Sequence, residues 1–346
     1  MAISNDLLSS TLFAIRDGEV DELYKKVAFL DGARKKGGVE TESGGIKLQR
    51  PLSLAEHSSI TQLATGYEPV SLAVNDVLRP AIYDWTDFVA PIVVTKKEEY
   101  ENSGEYAIVK IVEARMKSVM GMLRRELNKQ ILVGNSSVLT SMNTLNGSIS
   151  STGFLEPELA SGTNQNNTVG GISKTTFPVP GWKNQAQSAG AVFATNGLDA
   201  MSKIYIGANS VAPMGDISHI IGSEAFMSQY KKALFQNERF INEKTLDGGR
   251  MSLAFAGATV EADPALTGIT VTTTDFALPL GATNYLSAYF LNYEGVKLVF
   301  HKDADFAVSP FEHVSGTTAR SAQLYVKCQL IADFLGGQGM LVNANS

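Results

Sequence analysis

The 346-residue chain has a single cysteine, Cys328. That excludes a disulfide framework and any zinc site built from several thiolates. Histidine is also scarce. His57, His219, His301 and His313 are the only four, and none has another within five residues, so no HExxH or HxH metal motif exists. There is no GxxxxGK[ST] phosphate loop and no GxSxG nucleophile elbow. Nowhere do about 18 apolar residues run together, so no helical membrane span is expected. The start of the chain lacks a basic n-region, and Asn5, Asp6, Ser9 and Ser10 interrupt its apolar residues. No secretion signal is therefore expected. Charge is low, at 18% of residues, with a net value of -6. No overall basic field exists to hold a polyanion, which argues against sequence-specific DNA binding as the main role.

What is present is an ordinary globular composition, 44% hydrophobic, long enough for about two domains. The residues a catalytic chemist would inspect have plainer explanations. His219 lies in the apolar run Ile217–Ile221 and reads as a satisfied interior histidine. The glycines at 336, 337 and 339 read as a turn rather than a phosphate cradle. Cys328 reads as a buried structural thiol. Carboxylates are plentiful but scattered. No enzyme activity, metal or cofactor is expected.

Residues 1–37 are polar and mildly amphipathic, with Leu23, Val27 and Leu30 at helical spacing and Gly37-Gly38 as punctuation. Such a segment must lie on something else. Ile46, Leu48, Leu52 and Leu54 alternate as an extended strand, and Pro51 places it at an edge. The polar stretch Glu56–Ser59 reads as a hairpin tip, with a return through Tyr67–Leu72. A ribbon of this length is marginal by itself and needs a partner surface. Apolar residues Ile108, Val112, Met116, Val119, Leu123, Leu127 and Ile131 recur every three or four positions. They predict a helix of roughly 39 Å, ended by Gly134. Its remaining positions are rich in Lys and Arg, which read as a solvated face with phosphate contact as the other possibility.

From Gln130 to Ser173 there is no lysine or arginine, and Asn, Ser, Thr and Gly dominate. This stretch reads as a long loop with short pairing at most. Residues 196–300 read as a compact α/β unit: a helix near 198–206, a strand at Ile217–Ile221, a helix capped by Ser223, and strands at Leu253–Val260 and Leu286–Leu291. The clearest strand is last. Leu324, Val326, Cys328, Leu330, Ala332 and Phe334 share one face.

This order of parts resembles the major capsid protein of tailed bacteriophages (Caudoviricetes), the Hong Kong 97 type of shell fold. Short segments carry the resemblance. Ala81-Ile-Tyr-Asp-Trp85, followed by Val93, Val94, Glu99, Asn102 and Gly104, is similar to the lead-in to that family's spine helix. Leu127–Gly134 is similar to its end, Thr152–Leu155 to the landmark after it, and Ala256–Pro264 to a late strand-turn segment. The resemblance implies an α+β fold with an N-terminal arm at 1–37 and an extended loop at 38–78. It implies a peripheral domain at 79–199 and 313–346, with the spine helix at about 106–134, and an axial domain at 200–312. It further implies a structural subunit that assembles as hexamers and pentamers into an icosahedral shell around the phage genome. Assembly would take place in the host cytoplasm and the product would be the virion capsid.

The implied partners are copies of itself, a separate scaffolding protein or none, a portal and, in some members, decoration proteins. Packaged double-stranded DNA would be touched only non-specifically, and no membrane is involved. Lys47, Arg50, Leu52, Leu54 and Tyr67 become candidates for contact between subunits. Val119, Leu123, Leu127 and Ile131 become the core face of the spine helix. Two features depart from the simplest members: residues 135–195 are longer and more polar, and no long charged N-terminal helix is present to act as a fused scaffold. Some relatives lock their shells with a lysine–asparagine isopeptide bond. Lys47 is the only lysine between Gly37 and Thr95 and sits near the ribbon's base, so no such lock is expected. The same fold also serves encapsulin-like compartments around a cargo enzyme, and an enzyme with an unrecognised carboxylate site is the rival from another class.

Overall fold

A computed structural model describes residues 5–53, 62, 66, 78–101, 105–147, 153–157, 168–175, 181–190, 192–211, 215–236, 244–245, 251–269 and 286–343. The chain opens with α1 (Asn5–Lys26) and α2 (Ala28–Lys35). Leu8, Leu12, Leu23, Val27 and Leu30 are all buried. The support that the arm needs is within the same chain, because α1 packs along the long helix introduced below. Strand β1 (Val39–Glu42) follows. Then β2 (Lys47–Ser53) and β3 (Leu78–Asp84) form a separate two-stranded ribbon, and β4 (Thr86–Thr95) enters a larger sheet. The expected hairpin tip and the return through 67–72 lie outside the described residues.

After α3 (Lys96–Glu101) comes α4 (Glu105–Leu132), the 28-residue helix that the apolar spacing predicts. It packs on β4 and against α1. Leu127 and Ile131 are fully buried, whereas Val119 and Leu123 sit half-buried at the margin of the core. Gly134 stops the helix in the left-handed region, φ +81°, and its N–H donates to the Gln130 carbonyl. A side chain there would also strike Thr144, whose Cγ2 lies 2.8 Å from the position of an added Cβ.

The polar stretch beyond is not one open loop. Short pairs form between β5 (Thr144–Asn146) and β6 (Gly153–Leu155), and between β7 (Thr168–Val169) and β8 (Ile172–Ser173). Then come β9 (Gln185–Ser188), α5 (Phe193–Val211), β10 (His219–Gly222), α6 (Glu224–Gln236), β11 (Lys244–Thr245), β12 (Met251–Phe255) and β13 (Ala258–Ala262). Ser223 caps α6, its Oγ accepting from the Phe226 N–H at 3.2 Å. The expected Leu253–Val260 strand is two strands, because residues 256–257 turn the chain. The chain closes with β14 (Leu286–Leu291), β15 (Val296–His301), β16 (Ala307–Val308), β17 (Glu312–His313), β18 (Ala319–Ala332) and β19 (Gly339–Val342).

Two sheets organise these elements. The seven-stranded sheet runs β11-β12-β13-β10-β14-β19-β9. The six-stranded sheet is built on β18, which pairs with β4 along one edge and with β15, β16 and β17 along the other, while β1 adds to β15. The ladders divide the chain at other places than the expected ranges. Residues 296–312, assigned above to the axial unit, hydrogen-bond into the six-stranded sheet. Residues 185–188 and 339–342, assigned to the peripheral unit, complete the seven-stranded one. Sheet membership is a long-range pairing, and local alternation carries no information about it. Cys328 is buried, and burial pushes its thiol far above the ordinary range, so it is chemically quiet.

Candidate functional site

The root of the β2–β3 ribbon carries three of the five residues expected to contact a neighbouring subunit: Lys47, Arg50 and Leu52. The strands pair antiparallel, Lys47 opposite Asp84 and Ser53 opposite Leu78. Pro51 faces Pro80. Neither has an N–H, so this must be a non-hydrogen-bonded pair. The same alternation turns the Ile82 N–H outward, where it donates to the Gly170 carbonyl at 2.9 Å. Gly170 sits at φ +57°, and a Cβ there would lie 2.8 Å from the Ala81 methyl. Only glycine lets the β7–β8 turn lie this close to the ribbon.

The ribbon has two unlike faces. Leu48, Leu52, Ala81 and Tyr83 are buried in the subunit's own core. The Tyr83 hydroxyl donates to the Ala332 carbonyl at 2.8 Å, fastening β3 to the end of β18. On the other face Leu78 is 64% and Ile82 39% exposed, and Ile46 beside the ribbon is 92% exposed. Proline on each strand blunts the edges of the ribbon.

A charge cluster holds the base. Arg50 bridges Glu40 at 2.5 Å and Glu42 at 2.6 Å, with its Nε 3.6 Å from Asp333. Lys297 bridges Glu40 at 2.6 Å and Asp333 at 3.3 Å. Burial pushes the Glu40 carboxyl up, but the hydrogen bond from Lys297 and the charges of Lys297 and Arg50 outweigh it and hold it below the usual range. Burial likewise opposes the charge on Lys297, and Glu40 and Asp333 more than restore it.

The candidates named above are thus distributed unevenly. Lys47 is exposed and pairs with Asp84 at 2.9 Å. Arg50 and Leu52, expected to meet a neighbouring copy, serve the ribbon's root within the chain, and Leu52 is 7% exposed. Leu54 and Tyr67 lie outside the described residues. Sequence reading missed Glu40, Glu42, Lys297 and Asp333. Glu40 and Glu42 share a strand face, which is the only local signal, since their partners are remote in sequence. It also missed Lys174, which is 0% exposed inside the polar stretch. Its Nζ donates to the Phe154 carbonyl at 2.6 Å and to Glu156 Oε2 at 3.0 Å.

The cluster's contribution is testable. Arg50→Met should lower stability by roughly 1–2 kcal/mol, discounted for partial exposure. Glu40's stabilising share is present above its unfolded value near 4.5 and is lost as pH falls through its lower folded value. Urea titrations should therefore show a constant gap between the two proteins above that pH and a closing gap in acid. A gap that persists unchanged into acid would mean Arg50 acts through packing alone.

Among the described residues no group of three or more His, Cys, Asp or Glu is placed to hold a metal, and no helix is long and apolar enough to cross a membrane. His219 is buried, with Nδ1 2.6 Å from the Tyr293 hydroxyl, but Nε2 makes no hydrogen bond among the described residues and lies 3.4 Å from Glu261 Oε1, so the expected satisfaction of the ring is met on one side only.

No protein-family model matches the chain, and no curated protein matches it. Solved structures do. The capsid of cyanophage A-1(L) aligns over 88% of this chain and 89% of its own, at 14% identity and a TM-score of 0.56. The capsid of an empty GTA particle aligns over 90% and 89%, at 10% identity and 0.53. The capsid of Myoviridae phage XM1 aligns over 89% and 90%, at 10% identity and 0.51. The chain has the Hong Kong 97-type capsid fold.

Proposed function

We propose that this chain is the major capsid protein of a tailed bacteriophage, assembling as hexamers and pentamers into an icosahedral shell around double-stranded DNA. The observation that carries the reading is the ribbon. One of its faces is rooted in the subunit, while the other presents Leu78, Ile82 and two prolines with nothing from the described residues over them. An apolar ribbon face on a structural subunit is satisfied by a neighbouring copy, and closed symmetry multiplies each modest contact. In this reading the six-stranded sheet with α4 is the peripheral unit, and the seven-stranded sheet with α5 and α6 is the axial one. A separate scaffolding protein, a portal and decoration proteins complete the assembly, which takes place in the host cytoplasm.

Electron microscopy of the expressed chain, with its scaffold where needed, tests this directly. Closed shells are expected, and the contents decide between DNA and a protein cargo. Shells built around an enzyme would favour a compartment of the encapsulin kind, and a stable monomer at high concentration with scaffold present would refute both. The shell should also be non-covalent. Lys47 is exposed and paired to Asp84, with no apolar pocket around it among the described residues. Mature particles boiled in detergent should run as one band near 37.1 kDa. Ladders abolished by Lys47→Arg would show a covalent lock.

A further inference from the structure

The long helix α4 divides into two opposite sides. Val112, Met116, Met120, Leu127 and Ile131 are buried. Lys110, Lys117, Met122, Arg125 and Lys129 are exposed. At about 100° per residue these exposed positions fall on a single stripe facing away from the core. Lys110 to Lys129 spans about 28 Å along the axis. Lys117 is offset by Glu113 at 2.8 Å, whereas Lys110, Arg125 and Lys129 make no ion pair among the described residues. In a chain of net charge -6 this is a local reversal of sign. Helix α1 borders the stripe: Glu19 and Glu22 line a small cleft with Lys117, Gly121 and Arg124. The charge of Glu19 reaches Lys117.

We propose that the exposed stripe of α4 is a contact track for the phosphate backbone of duplex DNA, attenuated by the acidic edge of α1. This rests on the shell reading above, which supplies DNA as the enclosed polymer. Charge complementarity selects a polyphosphate. The residue types select a duplex over single strands. Between Val109 and Leu132 there is no aromatic residue or histidine on which an unpaired base would stack, whereas strong single-strand binders rely on such platforms. A rigid row of separated cations instead matches the continuous line of charge on a duplex, and it reads no sequence. Few cations and acidic flanks make the contact weak and salt-labile, as suits contents that must later leave.

The test measures binding of a short labelled DNA duplex of arbitrary sequence to purified full-length subunit. Three phosphate contacts predict a roughly 40-fold weakening between about 50 and 200 mM salt. Arg125→Gln/Lys129→Gln, both exposed, should flatten the logarithmic salt slope by about 2. Glu19→Gln should tighten binding at fixed salt. An unchanged slope in the double variant, or single-stranded DNA bound as tightly as the duplex, would overturn the assignment. Microscopy of the same samples separates the two readings. Wild-type shells without salt-dependent binding overturn the track alone. Binding with the predicted slopes, with no shells even at high concentration and with scaffold added, supports the track and sinks the shell.

Discussion

Lys174→Met should destabilise the unassembled subunit by about 3–5 kcal/mol, more than loss of any exposed ion pair. The side chain is fully enclosed, and its ammonium serves two acceptors, the Phe154 carbonyl and the Glu156 carboxylate. Methionine fills similar volume, so packing is largely kept. What is lost is the cationic partner at 3.0 Å of a carboxylate that is itself only 11% exposed. Stripping a buried charge of such a partner is the costly outcome, not the absence of the pair. Lys174→Met/Glu156→Gln should therefore recover about 2 kcal/mol relative to the single variant. If the double variant is no better than the single, the cost lies in cavity or backbone changes instead.

The same lysine carries a pH signature. Burial depresses its pKa from 10.5, and Glu156 restores only part. A depressed group contributes stability that is present above its unfolded value and lost as pH falls through its folded one. The gap between wild type and Lys174→Met should thus be widest above about pH 10.5 and narrow on going down through the folded value. A gap independent of pH would mean that Lys174 titrates as it does in the unfolded chain.

Much of the architecture was legible because it follows from local periodicity. The burial of β18 alternates from Ala322 to Cys328, as its sequence does. Helix α4 is marked by its apolar spacing and by Gly134, where a side chain would both strain the backbone and strike Thr144. The elements that escaped are those fixed by distant partners. α1 buries Leu8, Leu12 and Leu23, a sparse set with no continuous stripe, so its docking on α4 left little trace in the pattern. Lys174 lies in a run of small polar residues that reads as loop, and nothing local announces that its ammonium is enclosed. The ribbon's root draws on residues 40, 50, 297 and 333, which only the folded sheet brings together. Arg50 looked like a surface cation beside Pro51, while its carboxylate partners belong to two other segments, β1 and the turn after β18.

The ribbon itself gives the largest expected effect on assembly. Ser53 and Leu78 are directly opposed at the described end of the stem as a non-hydrogen-bonded pair, like Pro51 and Pro80, so residues 54–77 can be replaced by Thr-Asn-Gly-Thr, whose two threonines supply the hydrogen-bonded pair that a type I′ Asn-Gly turn closes on. The root is untouched by this change: Leu48, Leu52, Ala81 and Tyr83 stay buried, and the Arg50 cluster keeps all its partners. The shortened subunit should unfold within about 0.5 kcal/mol of wild type, since nothing with a named mechanism is removed. It should nevertheless form no closed shells, because the excised segment continues the ribbon whose outer face, with Leu78 and Ile82 exposed, is proposed to meet a neighbouring copy. Circular dichroism with urea titration reads the first half, and particle counts by electron microscopy read the second. Shells in wild-type numbers would move the intersubunit contact away from the ribbon. A subunit that no longer folds would place residues 54–77 in its own core. Folded subunits without shells would tie assembly to the segment beyond the stem, and thereby make the exposed face of Leu78 and Ile82 the start of an interface rather than an edge of the fold.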